Sequence, residues 1–157
     1  MATTRHTRKA GRPGHPKRGE IYLTALDPTV GSEVRKTRPA LVIQNDTSNQ
    51  YDATTMVAPI TSTVRFPLSP VHVLLPADPT TGLTVPSVAV FNQIRAVDRT
   101  RLIKKLGKAS AAAMLEVEQA IHVGFGLTCS EVGSGAATIT KAISESANDL
   151  KTGRYER

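Results

Sequence analysis

The chain is poor in cysteine and aromatic residues: one cysteine, no tryptophan, three phenylalanines and three tyrosines in 157 residues. A lone Cys129 excludes an internal disulfide framework and any paired-cysteine metal site. No stretch approaches the roughly 18 apolar residues of a membrane span. The first residues contain no apolar leader core, so no secretory signal is expected and a reduced, cytoplasmic setting is the default. The phosphate-loop pattern G-x-x-x-x-G-K-[ST], the dinucleotide pattern G-x-G-x-x-G and the nucleophile elbow G-x-S-x-G are all missing. Nucleotide-driven and serine-hydrolase mechanisms therefore lose their usual signatures. His6, His15, His72 and His122 are scattered without ligand spacing, so neither a metal nor a cofactor is expected, and His72 and His122 read as ordinary packing or surface residues.

What is present begins with charge. The formal net charge is +7, but Arg5, Arg8, Lys9, Arg12, Lys17 and Arg18 precede the first acidic residue, Glu20. The basic balance thus belongs mainly to the opening segment, and the remainder is close to neutral. Residues 1–17 carry glycines and prolines and almost no bulky apolar side chain. Such a segment cannot bury enough surface to offset the entropy of ordering, so a disordered basic arm is expected. It serves either as an RNA tether or as a solubilising extension.

The length suits one domain with a real core and not two. "EIYLTAL" alternates in a way that suits a strand covered on both faces, and "DP" ends it. "PALVIQN" (39–45) is a continuously apolar second strand. "TTMVAPIT" (54–61) is a third, with Pro59 placing that end at an edge or bulge. "VHVLLP" (71–76) makes a fourth, and "SVAVFNQIRAV" (87–97) a fifth, bent near Asn92. Residues 47–53, 62–70 and 77–86 read as loops. Short strands at close spacing without β–α–β alternation predict an antiparallel sheet closed into a small barrel.

The period then changes. Ser110 is an N-cap candidate, and Met114, Val117, Ile121 and Phe125 form one helical stripe that caps the barrel. Gly124 and Gly126 mark its end. Residues 128–157 begin as a linker, and Ile139, Ile143, Ala147 and Leu150 then recur at helical intervals, as a weak amphipathic helix would.

Three polar clusters remain. In "GSEVRKTRPALV", Arg38 stands before a proline, which biases it to extended backbone at the doorway of the second strand. A guanidinium there can make two parallel bonds to a phosphate. Alternatively Arg38 and Glu33 are loop residues in surface ion pairs, with Glu33 paired to Arg35 or Lys36. "PITST" offers Thr61, Ser62 and Thr63, whose hydroxyls either cap a turn or bind a phosphate. "FNQIRAVD" interrupts an apolar run with Asn92 and Gln93, amides that belong to an internal network or read bases.

Together, "RGEIYLTALDPTVGSEVRKTRPALVIQND", "VAPITS" and "NQIRAVDRTRLIKKLGKAS" resemble the MazF/PemK (Kid) family of toxins. The resemblance covers about residues 18–127. It implies a mainly β fold, an SH3-like or plasmid-toxin barrel with a C-terminal helix, working as a homodimer. It also implies metal-independent cleavage of single-stranded RNA, and a cognate antitoxin whose acidic segment wraps the toxin. By that likeness Arg38 and Thr61 carry catalysis and Glu33 supports it. The RNA-binding surface is then expected to include Ser32, Arg35, Lys36, Ser62, Asn92 and Gln93. Some relatives carry an Arg and an Asp where this chain has Val90 and Asn92, so their acid–base scheme does not transfer. A rival within the same fold is a non-catalytic toxin that poisons a protein such as DNA gyrase.

Overall fold

A computed structural model describes residues 14–127. The body of the basic arm, Cys129 and the C-terminal periodicity lie outside the described residues. Seven strands run β1 (Glu20–Ala25), β2 (Thr37–Val42), β3 (Thr54–Thr61), β4 (His72–Leu75), β5 (Ser87–Val90), β6 (Arg95–Asp98) and β7 (Leu102–Lys108). The helices are α1 (Asp46–Tyr51) and α2 (Ala111–Gly124). The sheet is antiparallel throughout, in the order β4-β5-β3-β2-β1-β7, with β6 beside β3.

The central strands are apolar on both faces because each face has its own core. Ile21, Leu41 and Ala58 are in register across β1, β2 and β3. They face a cluster with Ile60, Phe91 and Val117 under α2. Tyr22 and Ala40, one residue on, face the second cluster with Leu26, Val42, Val57 and Val97. Period-2 geometry turns one continuous hydrophobic run into two buried layers.

Closure is made by a turn. Thr81 Oγ1 donates to Pro76 O at 2.7 Å, folding the segment after β4, and Lys108 N donates to Thr80 O at 2.8 Å. The fit is tight enough that a Cβ on Gly107 would lie 2.2 Å from Thr80 O, and one on Gly82, at φ +67°, 2.1 Å from Leu106 O. The turn after β4 thereby seals the open side of β7, and the lysines of β7 keep the rest of that edge soluble.

Several expectations change. Pro59 is at neither an edge nor a bulge: it pairs with Ala40 of β2. On the other side of β3 it falls between Val57, which meets β6, and Ile60, which meets β5, so a strand without that N–H fits at the changeover. The fifth run is broken by a 3₁₀ turn, Phe91–Gln93, into β5 and β6. β7 was not anticipated as a strand, because its exposed lysines mask the alternation. Most of the 47–53 stretch belongs to α1, whose cap Asn45 Oδ1 accepts from Ser48 N at 2.8 Å. Six residues without an apolar stripe leave no helical period to detect. Ser110 does cap α2, its Oγ accepting from Ala113 N at 3.1 Å, and Val117 is fully buried. Phe125, however, is 60% exposed, because it is the C-cap, beyond the last helical turn, and leaves the stripe.

The "RGE" motif is a structural staple. Arg18 N donates to Asp46 Oδ1 at 2.7 Å, and its guanidinium reaches Ile43 O. Glu20 Oε2 accepts from Lys17 N at 2.9 Å and from Tyr22 OH at 3.0 Å, while Lys105 pairs with Oε1. Burial pushes the Glu20 carboxyl up, but the bonds from Lys105, Lys17 and Tyr22 together outweigh it, and the net position is below the usual glutamate range. Burial and the same carboxylate push Tyr22 up to about 12. Glu20→Gln is expected to cost about 1–3 kcal/mol in urea denaturation at pH 7. A depressed carboxyl stabilises fully above its ordinary value of about 4.3 and loses that contribution as pH falls through the lower folded value. The wild-type advantage over Glu20→Gln should therefore shrink steadily below about pH 4.

Candidate functional site

The site is built on the connection from β1 to β2. Leu26 N donates to Lys36 O at 3.1 Å, and the Asp27 carboxylate accepts from Lys36 N at 3.1 Å and from Thr29 Oγ1 at 3.1 Å. Those contacts, the Lys36 N–H foremost, with help from the charges of Arg35 and Lys36, hold the Asp27 carboxyl below its usual range. Arg101 donates to Ala25 O at 3.2 Å and Asp27 O at 2.5 Å, fastening the far end of β1. Gly31 at φ +61° and Lys36 at φ +71° turn the chain within the connection. Lys36 tolerates the left-handed region because the Asp27 contact holds its peptide.

Arg38 follows, half-buried on β2. It pairs with Thr24 of β1. The β2–β3 pairing ends at Ala40 against Pro59; Arg38 and Thr61 are the next residues on the same face of their own strands, and Thr61 is paired with Val88 of β5. Arg38 Nε donates to Arg35 O at 2.9 Å. Among the described residues no carboxylate pairs with this guanidinium, so its outer nitrogens are uncommitted. Thr61 Oγ1 accepts from Thr63 N at 3.3 Å, which leaves the hydroxyl proton free to donate. Both fates foreseen for that hydroxyl, turn cap and ligand donor, are compatible in this geometry.

Two hollows lie near these strand ends. One, of about 300 Å³, is lined by Arg38, Pro39, Ser62, Leu83 and Thr84 among others. The other, of about 420 Å³, is lined by Glu33, Pro59, Asn92, Gln93, Ile94 and Arg95 among others. Pro59 shares a face of β3 with Thr61, so the larger hollow lies on the face that Thr61 presents. A lining that mixes apolar and polar side chains suits a planar base beside a phosphate-binding cation. Among the described residues no group of three or more histidine, cysteine or acidic side chains comes together.

The remaining candidates separate. Ser32, Glu33, Arg35 and Lys36 are exposed on the connection. Glu33 pairs with neither Arg35 nor Lys36: its Oε2 lies 3.8 Å from Arg95 NH1 and accepts from Val30 N at 3.3 Å. The structure joins Glu33 to the larger hollow and makes no contact between it and Arg38. Asn92 is exposed, whereas Gln93 Oε1 accepts from Val34 N at 2.7 Å. The residue missed in the sequence is Arg95. Its cation is visible there, but its partnership with Glu33 is a long-range contact with no spacing signal.

These features can be set against known proteins. A family model described as PemK-like, MazF-like toxin of type II toxin–antitoxin system matches residues 17–125. An Endoribonuclease MazF of Staphylococcus epidermidis is 40% identical over 111 residues, which are 71% of this chain and 92% of that protein. A crystal structure of MazF (Form-I) from Deinococcus radiodurans aligns with a TM-score of 0.62 at 28% identity, covering 72% of this chain and 98% of that one. A MazE–MazF structure (Form-II) from the same organism aligns at 0.56 and 25% identity, covering 73% and 98%.

The Glu33–Arg95 pair is long and its carboxylate is 53% exposed, so it contributes little to the fold. Glu33→Gln is expected to shift the unfolding free energy by less than about 1 kcal/mol. A denaturant midpoint displaced by more than that would show that the pair is structural.

Proposed function

The chain belongs to the PemK-like, MazF-like toxins of type II toxin–antitoxin systems, and from that membership we propose that it cuts single-stranded RNA at the Arg38–Thr61 row, without a metal ion. It is an endoribonuclease toxin, as its relatives are named. The observation that supports the placement is a guanidinium half-buried at a strand end and uncommitted at its outer nitrogens, with Thr61, whose hydroxyl proton is free, likewise two residues beyond the last β2–β3 pair.

In the reaction we infer, the substrate's own 2′-oxygen bonds to the adjacent phosphorus and the bond from phosphorus to the 5′-oxygen breaks. The products are a 2′,3′-cyclic phosphate and a 5′-hydroxyl. Arg38 spans two non-bridging oxygens and neutralises the charge that grows on them, which counts most where water is thinned out. Thr61 donates to the phosphate and fixes its orientation. The 2′-proton needs an acceptor, and Glu33 is the one carboxylate lining either hollow. The 5′-oxygen takes its proton from solvent. Asn92, Ser62, Arg35 and Lys36 lie around this row and supply base and backbone contacts. A gyrase-poisoning toxin is not favoured, since the curated relatives are endoribonucleases.

The partners in this reading are RNA and a cognate antitoxin, whose acidic segment covers the same cationic face. Two copies of the chain form a homodimer. The toxin domain is residues 18–127, with residues 1–17 and 128–157 as extensions. None of the described helices is long and apolar enough to cross a membrane. The proposed action on messenger RNA calls for a cytoplasmic protein.

Incubation with a long single-stranded RNA in EDTA is expected to give discrete fragments with 5′-hydroxyl and cyclic-phosphate ends, read by end-labelling and mass spectrometry. Arg38→Ala should lower kcat by about 10²–10³-fold with an unchanged circular-dichroism spectrum. Arg38→Lys should remain strongly impaired, because the charge is kept and the two-pronged geometry is lost. Intact RNA with the wild-type protein, or an Arg38→Ala variant that cuts normally, would overturn the reading.

A further inference from the structure

Asn92 and Gln93 are adjacent amides with opposite surroundings. They sit in the 3₁₀ turn between β5 and β6, which is immobilised by Phe91: its ring is 2% exposed and its N–H donates to Val71 O at 2.9 Å. Asn92 points to solvent with no side-chain partner among the described residues. Gln93 is spent on the β1–β2 connection. Its Oε1 accepts from Val34 N at 2.7 Å, and its Nε2 donates to Ser32 O at 3.5 Å. One side chain thus holds the peptide groups on both sides of Glu33. Arg35 O, one residue beyond Val34, is the acceptor for Arg38 Nε.

We propose that Gln93 is a positioning residue for cleavage: by clamping Ser32 and Val34 it sets the Arg35 carbonyl, and that carbonyl sets the Arg38 guanidinium. The inference rests on the assignment of Arg38 above. A guanidinium whose Nε is already engaged presents its two outer nitrogens as a fixed edge, the edge that matches two phosphate oxygens. The far end of the connection is secured by Asp27 and Arg101. Its middle is tied to the sheet by Gln93 and by the long Glu33–Arg95 pair. Without Gln93 the middle loses its short bond, and the Arg35 carbonyl is free to shift. Base recognition, for which both amides were candidates, passes to Asn92, whose hydrogen-bonding groups are available.

The test compares wild type, Gln93→Ala, Gln93→Glu and Arg38→Ala. An RNA oligonucleotide containing a site first mapped with the wild-type enzyme supplies kcat and KM. Fragment sequencing supplies the base preference, and hydrogen exchange follows the Val34 amide. Gln93→Ala is expected to lower kcat at least about 10-fold by misplacing the reacting groups. Its KM should change little, its cleavage motif not at all, and the Val34 amide should lose protection. Gln93→Glu keeps an acceptor for that amide and should recover most of kcat, although it exchanges an amide donor for a carboxylate. An altered base preference in Gln93→Ala or Gln93→Glu, with Val34 still protected, would instead make Gln93 a base reader and overturn the proposal. So would lost Val34 protection with unchanged kcat. If Arg38→Ala cuts like the wild type, the Arg38 assignment fails and this inference with it; if only the Gln93 results go against expectation, the Arg38 assignment stands.

Discussion

The register of β2 between β1 and β3 is the constraint on which everything else depends. Because Leu41 is held against Ile21 and Ala58, the residues of β2 alternate between two buried layers, and no slip by one residue is tolerated. The same alternation carries past the end of the core. Ala40 and Pro59 are paired on the second face, and the next positions on that face are Arg38 and Thr61. The position of the cation is therefore inherited from apolar packing a few ångströms away, where the cost of error is high. A functional pair placed at the end of such a ladder needs little dedicated support along the strand direction.

The motifs that make the family legible divide into two kinds. "RGE" is structural: Arg18 and Glu20 tie the start of β1 to Ile43, Asp46, Tyr22 and Lys105. "LDP" is also structural, since Asp27 braces Lys36 and the turn after β1. "RP" and "PITS" instead project polar groups onto an open face. A residue type that recurs in a motif thus says little by itself about chemistry. What separates the two kinds is whether the side chain's bonding capacity is already used by the protein. Glu20 is saturated, Gln93 nearly so, and Arg38 is engaged only at Nε.

That distinction also explains what was legible in the sequence and what was not. Strands β1 to β5 were visible because their apolar residues follow period two or run continuously, and α2 because Ser110 and the Val117 stripe signal a capped amphipathic helix. Arg38 was singled out by the likeness of its motif to the family, since by its position before a proline alone it could equally be a loop residue in a surface ion pair. β7 was hidden because "LIKKLGK" presents an edge, where lysines protect rather than pack. α1 was hidden because Asn49 holds it in place through polar contacts with Gln44 O and Thr55 Oγ1, not through an apolar stripe. The partnerships of Glu33 with Arg95 and of Gln93 with Val34 join residues far apart in the chain. No local pattern encodes them, and only the folded sheet brings them together.

Charge placement completes the argument. The described residues carry twelve lysines and arginines against nine acidic residues, a modest excess, so attraction to RNA does not rest on a strong uniform field. It must come from where the cations are placed. Arg35, Lys36 and Arg38 cluster at the mouth of the β1–β2 connection, with Arg95 on the opposite rim of the larger hollow, while the carboxylates nearby are bound to partners: Asp27 to Lys36 N–H, Glu33 to Arg95. A local patch of this kind steers a phosphate to one row over distances within the Debye length of about 8 Å at physiological salt. In the proposed reading, cations placed beside a guanidinium fixed at a strand end favour productive encounters with RNA, and an acidic inhibitor would act by covering the same face.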